Sequence, residues 1–410
     1  MIKNITKRTI CLILIIASLS LMIGCDKKEK EKELVISNNI QQDIKNKESK
    51  EFKVEKLKEF TIDTKGLIPI YWNNDGNIVA INSNRSSETQ TINLYNINMD
   101  TGKTTIKTTL KDVIFLQSLN GSSSNKLFYT KDFKLWMYDL SNDNITEVYN
   151  LSDLKNELKP DNFNTLTMAT SYGLVKGAEK YLYISCTYKK DGSSYGILNL
   201  LNLETKEIAK GKPTNSFCFN WDIVYSKIKD SFYVSGFNQK NTCVYEFKLN
   251  DISNIKQISK LKDLNLNSIS DDGKEITLTK GFIDPNATAC ISKYDLINDK
   301  LTDVIIKKSS DNFAFYSGGY LYKNNILTYS ECNGTGAGSK KETFICSYED
   351  NKVSNIQKLS QNQSADYFTI GNLLFADNKA NKFIFIEYYW TMDSFDYKYT
   401  KFYIYDIKNN

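Results

Sequence analysis

The side chains that could do chemistry in this chain are limited by two compositional features. The 410 residues contain no histidine, and arginine occurs only at positions 8 and 85. Without imidazole there is no Ser-His-Asp or Cys-His catalytic unit and no histidine metal ligand. So few guanidinium groups cannot form a cluster of forked donors for a carboxylate or phosphate. Acid–base catalysis would therefore depend on the 48 aspartates and glutamates.

Paired carboxylates are the catalytic arrangement that this composition still supplies. Glycoside hydrolases use two carboxyl groups about 5–10 Å apart, so a carbohydrate-active enzyme is the alternative that we keep beside a non-catalytic protein. No spacing shows which acids converge, and we assign no catalytic residue, cofactor or metal site. In "NNDGN" (73–77) and "SDDGK" (270–274), Tyr71 and Ser268 stand where an EF-hand loop has its first acid. We interpret both stretches as hairpin turns.

The overall charge gives no indication of a nucleic-acid partner. The formal net charge is +5, and it falls by three to +2 if Lys3, Lys7 and Arg8 are removed with an N-terminal leader. Binding to nucleic acid requires a clustered basic face. We therefore expect no nucleic acid among the partners.

Six cysteines lie in the body of the chain, at positions 186, 218, 243, 290, 332 and 346. An even number outside the cytoplasm would permit disulfides. However, Cys243 and Cys290 each stand four residues before the aromatic residue of a repeated strand phrase, inside an alternating pattern. We interpret them as buried thiols in equivalent positions, with disulfide pairing as the alternative.

The N-terminus has the pattern of a secretory leader. A short basic stretch is followed by an apolar run from Ile10 to Gly24, and charged residues begin directly after Cys25. This run is short for a membrane-spanning helix, which needs about 20 residues. The Gly24-Cys25 junction resembles the lipobox of bacterial lipoproteins, although Met22 stands where that family usually has leucine. The resemblance implies cleavage after Gly24 and lipid attachment at Cys25, and the alternative is an uncleaved anchor helix.

We therefore divide the chain into a leader (1–24), a lipidated cysteine with a polar tether (25–51) and a body (52–410). The tether is rich in mixed charges and lacks apolar periodicity, which is typical of a flexible segment. Its roughly 26 residues would reach on the order of 25–30 Å if coil-like. In either reading of the leader, the body lies outside the cytoplasm, anchored to the cell membrane.

A sequence pattern, which we call the repeated phrase, recurs seven times in the body of the chain. It consists of an alternating strand that ends in Tyr-Asp-Leu or a variant, a polar turn and a short second strand. The anchor positions of the phrase are Asn96, Asp139, Asn202, Lys248, Asp295, Glu349 and Asp406. Their spacings are 43, 63, 46, 47, 54 and 57 residues, close to the roughly 40–50 residues of one four-stranded propeller blade. A helical turn at 151–163 would explain the long interval.

The second half of each unit is a hairpin, as in "GLIPIYWNNDGNIVAINSN" with its Asn-Asp-Gly turn. The sequence therefore predicts an all-β protein, a seven-bladed β-propeller, with six or eight blades left open. The seventh repeat, "KFYIYDIKNN", has no strand after it. We expect residues 52–63 to pair with residues 401–407 and close the ring, because a closed ring leaves no open edge between its ends.

The pattern resembles the TolB-type and WD40-like β-propellers of bacterial envelopes. The residues that carry the resemblance are "WNNDGNIVAINSN…INLYNINMDTGK" and "SISDDGKEITL…ISKYDLINDK", and it extends over 52–410. Members of these families serve as docking platforms, assembly factors or enzymes, so the resemblance does not select a function. It implies a monomeric, membrane-anchored module whose protein or polysaccharide partner is unknown.

Candidate binding residues lie in the predicted loops between the second and third strands. These loops vary in sequence and lie at 82–91, 188–196, 331–343 and 390–400. The last is dense in aromatic and acidic residues, which suits sugar stacking or a protein hot spot. Arg85 lies in the corresponding loop of the first repeat, which neighbours the seventh in a closed ring. We predict a composite site from Arg85, Trp390, Asp393, Asp396 and Tyr397. The alternative is that the aromatic residues fold back to cover the blade edge.

Overall fold

The computed structural model describes the body of the chain in segments between Phe52 and Asn409. The described residues are 52–62, 64, 66–72, 76–85, 89–116, 125–152, 165–190, 193–215, 217–238, 241–280, 289–306, 314–322, 326–332, 341–349, 352–359, 367–375, 381–391 and 397–409. The chain divides into two units, Met1–Ser49 and Lys50–Asn410. The first unit, with the predicted leader and Cys25, lies outside the described residues. Within the described ranges we find no apolar helix of the length that a bilayer-crossing segment requires.

The second unit is an all-β, seven-bladed propeller, as predicted. The described chain begins with strand β1 (Phe52–Ile62). Blade 1 consists of β2 (Ile68–Trp72), β3 (Asn77–Arg85), β4 (Gln90–Asn98) and β5 (Thr104–Val113). Blade 2 consists of β6 (Phe115–Leu116), β7 (Lys126–Lys131), β8 (Lys134–Asp139) and β9 (Asn144–Asn150). Blade 3 consists of β10 (Thr165–Leu174), β11 (Tyr181–Lys190), β12 (Ser193–Asn202), β13 (Ile208–Lys210) and the extra short β14 (Thr214–Asn215).

The remaining blades follow the same order. Blade 4 consists of β15 (Phe217–Ser226), β16 (Ser231–Asn238), β17 (Asn241–Phe247) and β18 (Lys256–Lys262), with a 3₁₀ turn at Leu249–Asp251. Blade 5 consists of β19 (Leu264–Ile269), β20 (Glu275–Lys280), β21 (Ala289–Asp295) and β22 (Lys300–Ile305). Blade 6 consists of β23 (Ala314–Tyr322), β24 (Ile326–Cys332), β25 (Lys341–Glu349) and β26 (Lys352–Lys358). Blade 7 contains β27 (Tyr367–Phe375), β28 (Lys382–Thr391) and β29 (Tyr397–Asn409).

The ring closes where the sequence predicts. Strand β1 is the fourth strand of blade 7 and pairs antiparallel with β29, from Phe52 opposite Asn409 to Ile62 opposite Thr400. The side chain of Gln357, on blade 6, accepts a hydrogen bond from the backbone N–H of Val54 at 3.3 Å and donates one to the carbonyl of Phe52 at 3.5 Å. One amide thus holds the edge of the closing strand against the neighbouring blade.

The hydrophobic core consists of seven clusters, each between two neighbouring blades. The closing cluster joins β1, blade 1 and blade 7 through side chains that include Ile62, Trp72 and Phe402. On the other side of blade 7, Phe52 and Ile407 pack with residues of blade 6. Because side chains of a strand alternate between its two faces, each blade contributes one row to each neighbour. The alternation of apolar residues in the repeated strand phrases therefore reflects the packing of each blade against its two neighbours.

The repeated phrase predicts that Asp139, Asp295 and Asp406 each hydrogen-bond the backbone of their own turn, and the first two do so after the third strands of their blades. The Oδ1 of Asp139 accepts the N–H of Ser141 at 2.9 Å. The Oδ1 of Asp295 accepts the N–H of Ile297 at 2.8 Å. A carboxylate that takes the backbone donors of its own turn fixes that turn locally.

The prediction is wrong for Asp406 and needs adjustment in blade 1. Asp406 lies inside β29 opposite Glu55 of β1, so the backbone does not turn there, and its carboxylate instead binds Lys408 at 2.5 Å. In blade 1 the capping residue is Asn98, whose Oδ1 accepts the N–H groups of the two turn residues at 2.9 and 3.0 Å. The anchor predicted at Asn96 is therefore displaced by two residues. The helical turn expected at 151–163 lies almost wholly outside the described residues.

Four of the six body cysteines are buried thiols, which confirms our interpretation for Cys186, Cys243, Cys332 and Cys346. The Sγ of Cys243 accepts a hydrogen bond from the amide of Gln257 at 3.2 Å. Burial raises the pKa of the Cys243 thiol, so the group stays neutral at physiological pH. The side chains of Cys218 and Cys290 lie outside the described part of the structure.

Candidate functional site

The two ends of the propeller differ in which turns they carry. Because neighbouring strands of a blade are antiparallel, the second-to-third hairpins lie at one end and the other turns of the blade lie at the opposite end. We call these ends the tip face and the base face. In blade 7, Ile62 and Thr400 lie toward the tip face, whereas Phe52 and Asn409 lie at the base face. Strand β1 therefore begins at the base face.

The structure places the backbones of three predicted site residues at the tip face of adjacent blades. Arg85 is the last residue of β3 and lies opposite Gln90. Trp390 lies near the end of β28, opposite Tyr397 at the start of β29. All three belong to strands rather than to loops, since both hairpins continue further than the predicted loop boundaries. Asp393 and Asp396 lie outside the described residues.

A buried polar network supports the hairpin of blade 7. The carboxylate of Glu387 accepts hydrogen bonds from the hydroxyls of Tyr389 at 2.6 Å and Tyr403 at 2.9 Å. The two hydroxyls lie 3.3 Å apart, and all three residues are buried. Burial, reinforced by these hydrogen bonds, raises the pKa of both tyrosines. The hydroxyls therefore remain protonated donors, as a buried carboxylate requires.

Part of the aromatic segment serves packing rather than recognition. The rings of Tyr389 and Tyr399 stack with centroids 4.4 Å apart. For Tyr399 this contact matches the alternative interpretation, in which the aromatic residues fold back onto the blade. Trp390 and Tyr397 lie directly above this packed base in the hairpin.

Among the described residues of the tip face, the most unusual is Phe133, which the sequence did not single out. Asp132 and Phe133 form the two-residue turn between β7 and β8 in blade 2, with φ angles of +51° and +56°. Positive φ is unfavourable for a bulky side chain, and such turns prefer Asn-Gly. Phe133 is nevertheless 45% exposed. The available signal was "YTKDFKLW", in which only two residues separate alternating strands.

The ion pairs around Phe133 neutralise the nearby lysines. Lys134 binds Glu147 at 2.7 Å, and Lys131 binds Asp112 at 3.5 Å. Each of these side chains is at least one-third exposed, so the pairs contribute little stability. Their effect is to surround an exposed aromatic ring with balanced charge.

One carboxylate pair exists at the tip end of blade 6. Glu331 and Glu342 lie directly opposite each other in β24 and β25 and are both buried. Lys358 binds Glu342 at 2.6 Å. Cross-strand neighbours can bring carboxyl groups within the range that glycoside hydrolysis uses. Burial of both side chains, however, separates them from a substrate in solution.

The described part of the chain contains no group of three or more cysteine, aspartate and glutamate side chains that could hold a metal ion. The "SDDGK" stretch forms the hairpin turn between β19 and β20, as interpreted. There the carboxylate of Asp272 accepts the hydroxyl of Ser270 at 2.7 Å and the N–H of Lys274 at 3.0 Å.

No family model and no curated protein matches the sequence. Solved structures to which the chain is similar include dipeptidyl peptidase 4 of Porphyromonas gingivalis (11% identity, TM-score 0.46), of which it covers 52% with 82% of its own length. They also include TolB of Acinetobacter baumannii (10% identity, TM-score 0.40, 82% of each chain). A third is the β-propeller domain of the Trilobed protease from Pyrococcus furiosus (9% identity, TM-score 0.45, 82% of this chain and 97% of that one). The likeness is one of fold, and the chain spans about half the length of the first of these proteins.

Proposed function

We propose that the protein is a non-catalytic binding or assembly module that recognises an envelope protein or polysaccharide through its tip face. In this proposal a lipid on Cys25 anchors the chain outside the cytoplasm. The observation that carries the proposal is Phe133, an exposed aromatic ring held at positive φ on a hairpin tip. Strained backbone of this kind costs of order 1–3 kcal/mol and concentrates at functional positions.

The environment of Phe133 fits recognition better than folding. Glycine would occupy the same backbone conformation without strain, so the phenylalanine side chain is not needed to form the turn. An aromatic ring surrounded by charge-balanced polar residues is the usual composition of a binding hot spot and its rim. The two-residue turn also limits the freedom of the ring, which lowers the entropy lost on binding.

The tip ends of blades 7 and 1 extend the same surface. Arg85 stands at the end of a strand in blade 1, which is next in the ring to the blade that carries Phe133. Trp390 and Tyr397 stand at strand ends in blade 7, on the other side of blade 1. The Glu387 network keeps the β28–β29 hairpin rigid beneath this region. Recognition groups on a rigid base bind more strongly than the same groups on a flexible loop.

The path of the chain is consistent with a partner at the tip face. Phe52 lies at the base face, so a lipid-anchored tether would join the propeller there. The tip face, on the opposite side, would then stay accessible.

The alternative remains a carbohydrate-active enzyme that uses Glu331 and Glu342. The pairing of these residues across β24 and β25 is the observation that favours it. It ranks second because both side chains are buried and Lys358 neutralises one of them. Hydrolysis of an envelope polysaccharide by the wild type that is lost in Glu331→Gln would reverse this order.

Site-specific photo-crosslinking in intact cells tests the primary proposal. Benzoylphenylalanine at position 133 should yield a discrete adduct that the same probe at Ile106, an exposed residue of the outer strand β5, does not yield. The Phe133→Gly variant and the double variant Arg85→Ala, Trp390→Ala should both lose the partner in pull-down. Their melting temperatures should stay within a few degrees of the wild type, and that of Phe133→Gly should rise. Equal adduct yields at positions 133 and 106 would refute the proposal.

A further inference from the structure

The base face carries three exposed aliphatic side chains on adjacent turns. Ile228 is 46% exposed, Leu249 36% and Ile297 48%. Ile228 lies in the turn that precedes β16, and Leu249 lies in the 3₁₀ turn that follows β17 in the same blade. Ile297 lies in the turn between β21 and β22 of blade 5. Each residue is thus near the middle of a base-face turn, where a polar residue is the usual choice.

The three turns adjoin one another. Phe232 and Phe247 are opposite each other in β16 and β17, which places the turn before β16 beside the turn after β17. The positive charge of Lys229, next to Ile228, contributes to the electrostatic field at Asp295 and Asp299 in blade 5. The exposed aliphatic side chains therefore belong to one surface, which we call the base patch (Ile228, Leu249 and Ile297 with Lys227, Lys229 and Lys248).

The carboxylates of these turns accept hydrogen bonds or form ion pairs within the protein. Asp230 accepts the hydroxyl of Tyr225 at 2.8 Å. Asp299 binds the ammonium group of Lys260 and the hydroxyl of Tyr294. Asp251, Asp272 and Asp295 likewise accept hydrogen bonds from side chains or backbone groups of their own turns.

The lysines of the base patch form no ion pair with a carboxylate of the described residues. Lys227 and Lys229 flank Ile228, Lys248 precedes Leu249, and all three are exposed. In the described part of the chain, no carboxylate lies within ion-pair distance of these three ammonium groups. The surface therefore places three lysines that form no ion pair in the described structure directly beside aliphatic side chains.

We propose that the base patch is a membrane contact, in which the three aliphatic side chains enter the headgroup region of a bilayer and the three lysines bind anionic phospholipids. This inference rests on the proposed lipid anchor, which would bring the base face to the membrane. Basic residues beside apolar ones are the composition that binds the interface of anionic membranes. Long lysine side chains can keep their charge at the headgroups while the aliphatic neighbours are buried.

The position of the patch in the ring favours a bilayer over a protein partner. The chain joins the base face in blade 7, at Phe52, whereas the patch occupies blades 4 and 5 across the ring. A tether on one side and a weak contact on the other would hold the base face parallel to the membrane and direct the tip face away from it. The tether would also supply a high effective concentration, so the patch needs only weak intrinsic affinity.

Vesicle sedimentation tests the inference with the full mature chain from position 25 carrying Cys25→Ser, so that no acyl chain is present. The probe is vesicles made of equal parts of dioleoylphosphatidylcholine and dioleoylphosphatidylglycerol, with vesicles of the former lipid alone for comparison. We expect sedimentation with the mixed vesicles that weakens as salt is added. The triple variant Ile228→Ser, Leu249→Ser, Ile297→Ser should lower the partition coefficient about tenfold or more, since each buried aliphatic side chain contributes several-fold.

The matched control carries the same three changes on outer strands, Ile106→Ser, Ile145→Ser and Ile356→Ser, whose side chains are 62%, 50% and 44% exposed. It should bind like the unaltered protein, and Lys227→Gln, Lys229→Gln, Lys248→Gln should remove the preference for anionic vesicles. Failure to sediment with either vesicle, or equal losses in both serine variants, would overturn the membrane contact, and a protein partner would then have to cover the patch. Either outcome leaves lipidation untouched, because incorporation of labelled palmitate at Cys25 in cells tests the anchor separately.

Discussion

Deletion of β1 should open the ring and remove most of the stability of the propeller. The strand supplies three buried side chains, Phe52, Phe60 and Ile62, to the two clusters that flank blade 7. At about 1.5–3 kcal/mol for each buried apolar side chain, these three alone contribute roughly 5–9 kcal/mol. The backbone pairing of β1 with β29 adds to this figure. Natural domains of ordinary stability have only about 5–15 kcal/mol in total.

The assay is urea denaturation of a chain that begins at residue 64, followed by circular dichroism and tyrosine fluorescence. We expect no cooperative transition or a large fall in the urea midpoint, and partial recovery when a synthetic peptide of residues 50–63 is added in excess. A milder version is Ile62→Ala, which should cost about 2–5 kcal/mol because the side chain is fully buried. Ile106→Ala, at a position 62% exposed on β5, is the matched control and should change the free energy of unfolding by less than about 0.5 kcal/mol. A truncated chain with the midpoint of the wild type would refute closure by β1 as the source of stability.

Three further outcomes can be checked in the same denaturation assay. Gly102→Ala should destabilise the fold by about 1–3 kcal/mol. Gly102 has a φ of +71°, and a Cβ there would lie 2.7 Å from a backbone oxygen of β1. As the control, Lys206→Gly, at a φ of +63° in the corresponding turn of blade 3, should be neutral or slightly stabilising. Tyr403→Phe should cost about 1.5–3 kcal/mol, since it removes a donor to a buried carboxylate, and an unchanged midpoint would refute a stabilising role for this hydrogen bond. The hydrogen bond from Lys107 holds the pKa of Asp143 below its ordinary value of 3.8. The contribution of this carboxylate to the stability of the fold is therefore complete above pH 3.8 and is lost as the pH falls through the lower pKa of the folded state. Asp143→Asn should therefore flatten the acid side of the stability profile by a few tenths of a kcal/mol in low salt and have no effect in high salt.

The repeated turn chemistry was sufficient to predict the blades. Residues such as Asp295 cap their turns through local hydrogen bonds, and local interactions leave a signature at fixed spacing. The closing strand was predictable for the same reason, since one repeat lacked an element that another part of the chain could supply. The error at Asp406 has a long-range cause. Its sequence context is that of a turn, but pairing with β1 keeps the backbone extended.

The candidate site was less predictable because its features depend on tertiary structure. The hairpins that end at Arg85 and Trp390 extend further than their polar residues suggest, since each strand continues to pair with the next. The two-residue spacing in "YTKDFKLW" indicates a hairpin, but it does not indicate a phenylalanine at positive φ, because that conformation is expected only of glycine, asparagine or aspartate. The network around Glu387 joins residues on two strands and depends on burial, which a single sequence does not reveal.

Ring closure, the proposed attachment of the tether and the proposed binding surface at the tip face all involve strand β29. Its ladder with β1 extends from Phe52 at the base face to Ile62 near the tip face. A pull on the chain before Phe52, opposed by a partner at the tip of blade 7, would load this ladder along its length, so that all its hydrogen bonds resist together. The clamp from Gln357 lies at the end of β1 where such a pull enters. The β1–β29 pair that closes the ring would thus also connect an anchor on one face to a ligand on the other. This gives a physical reason for closing the ring with the N-terminal segment rather than at the C-terminus alone.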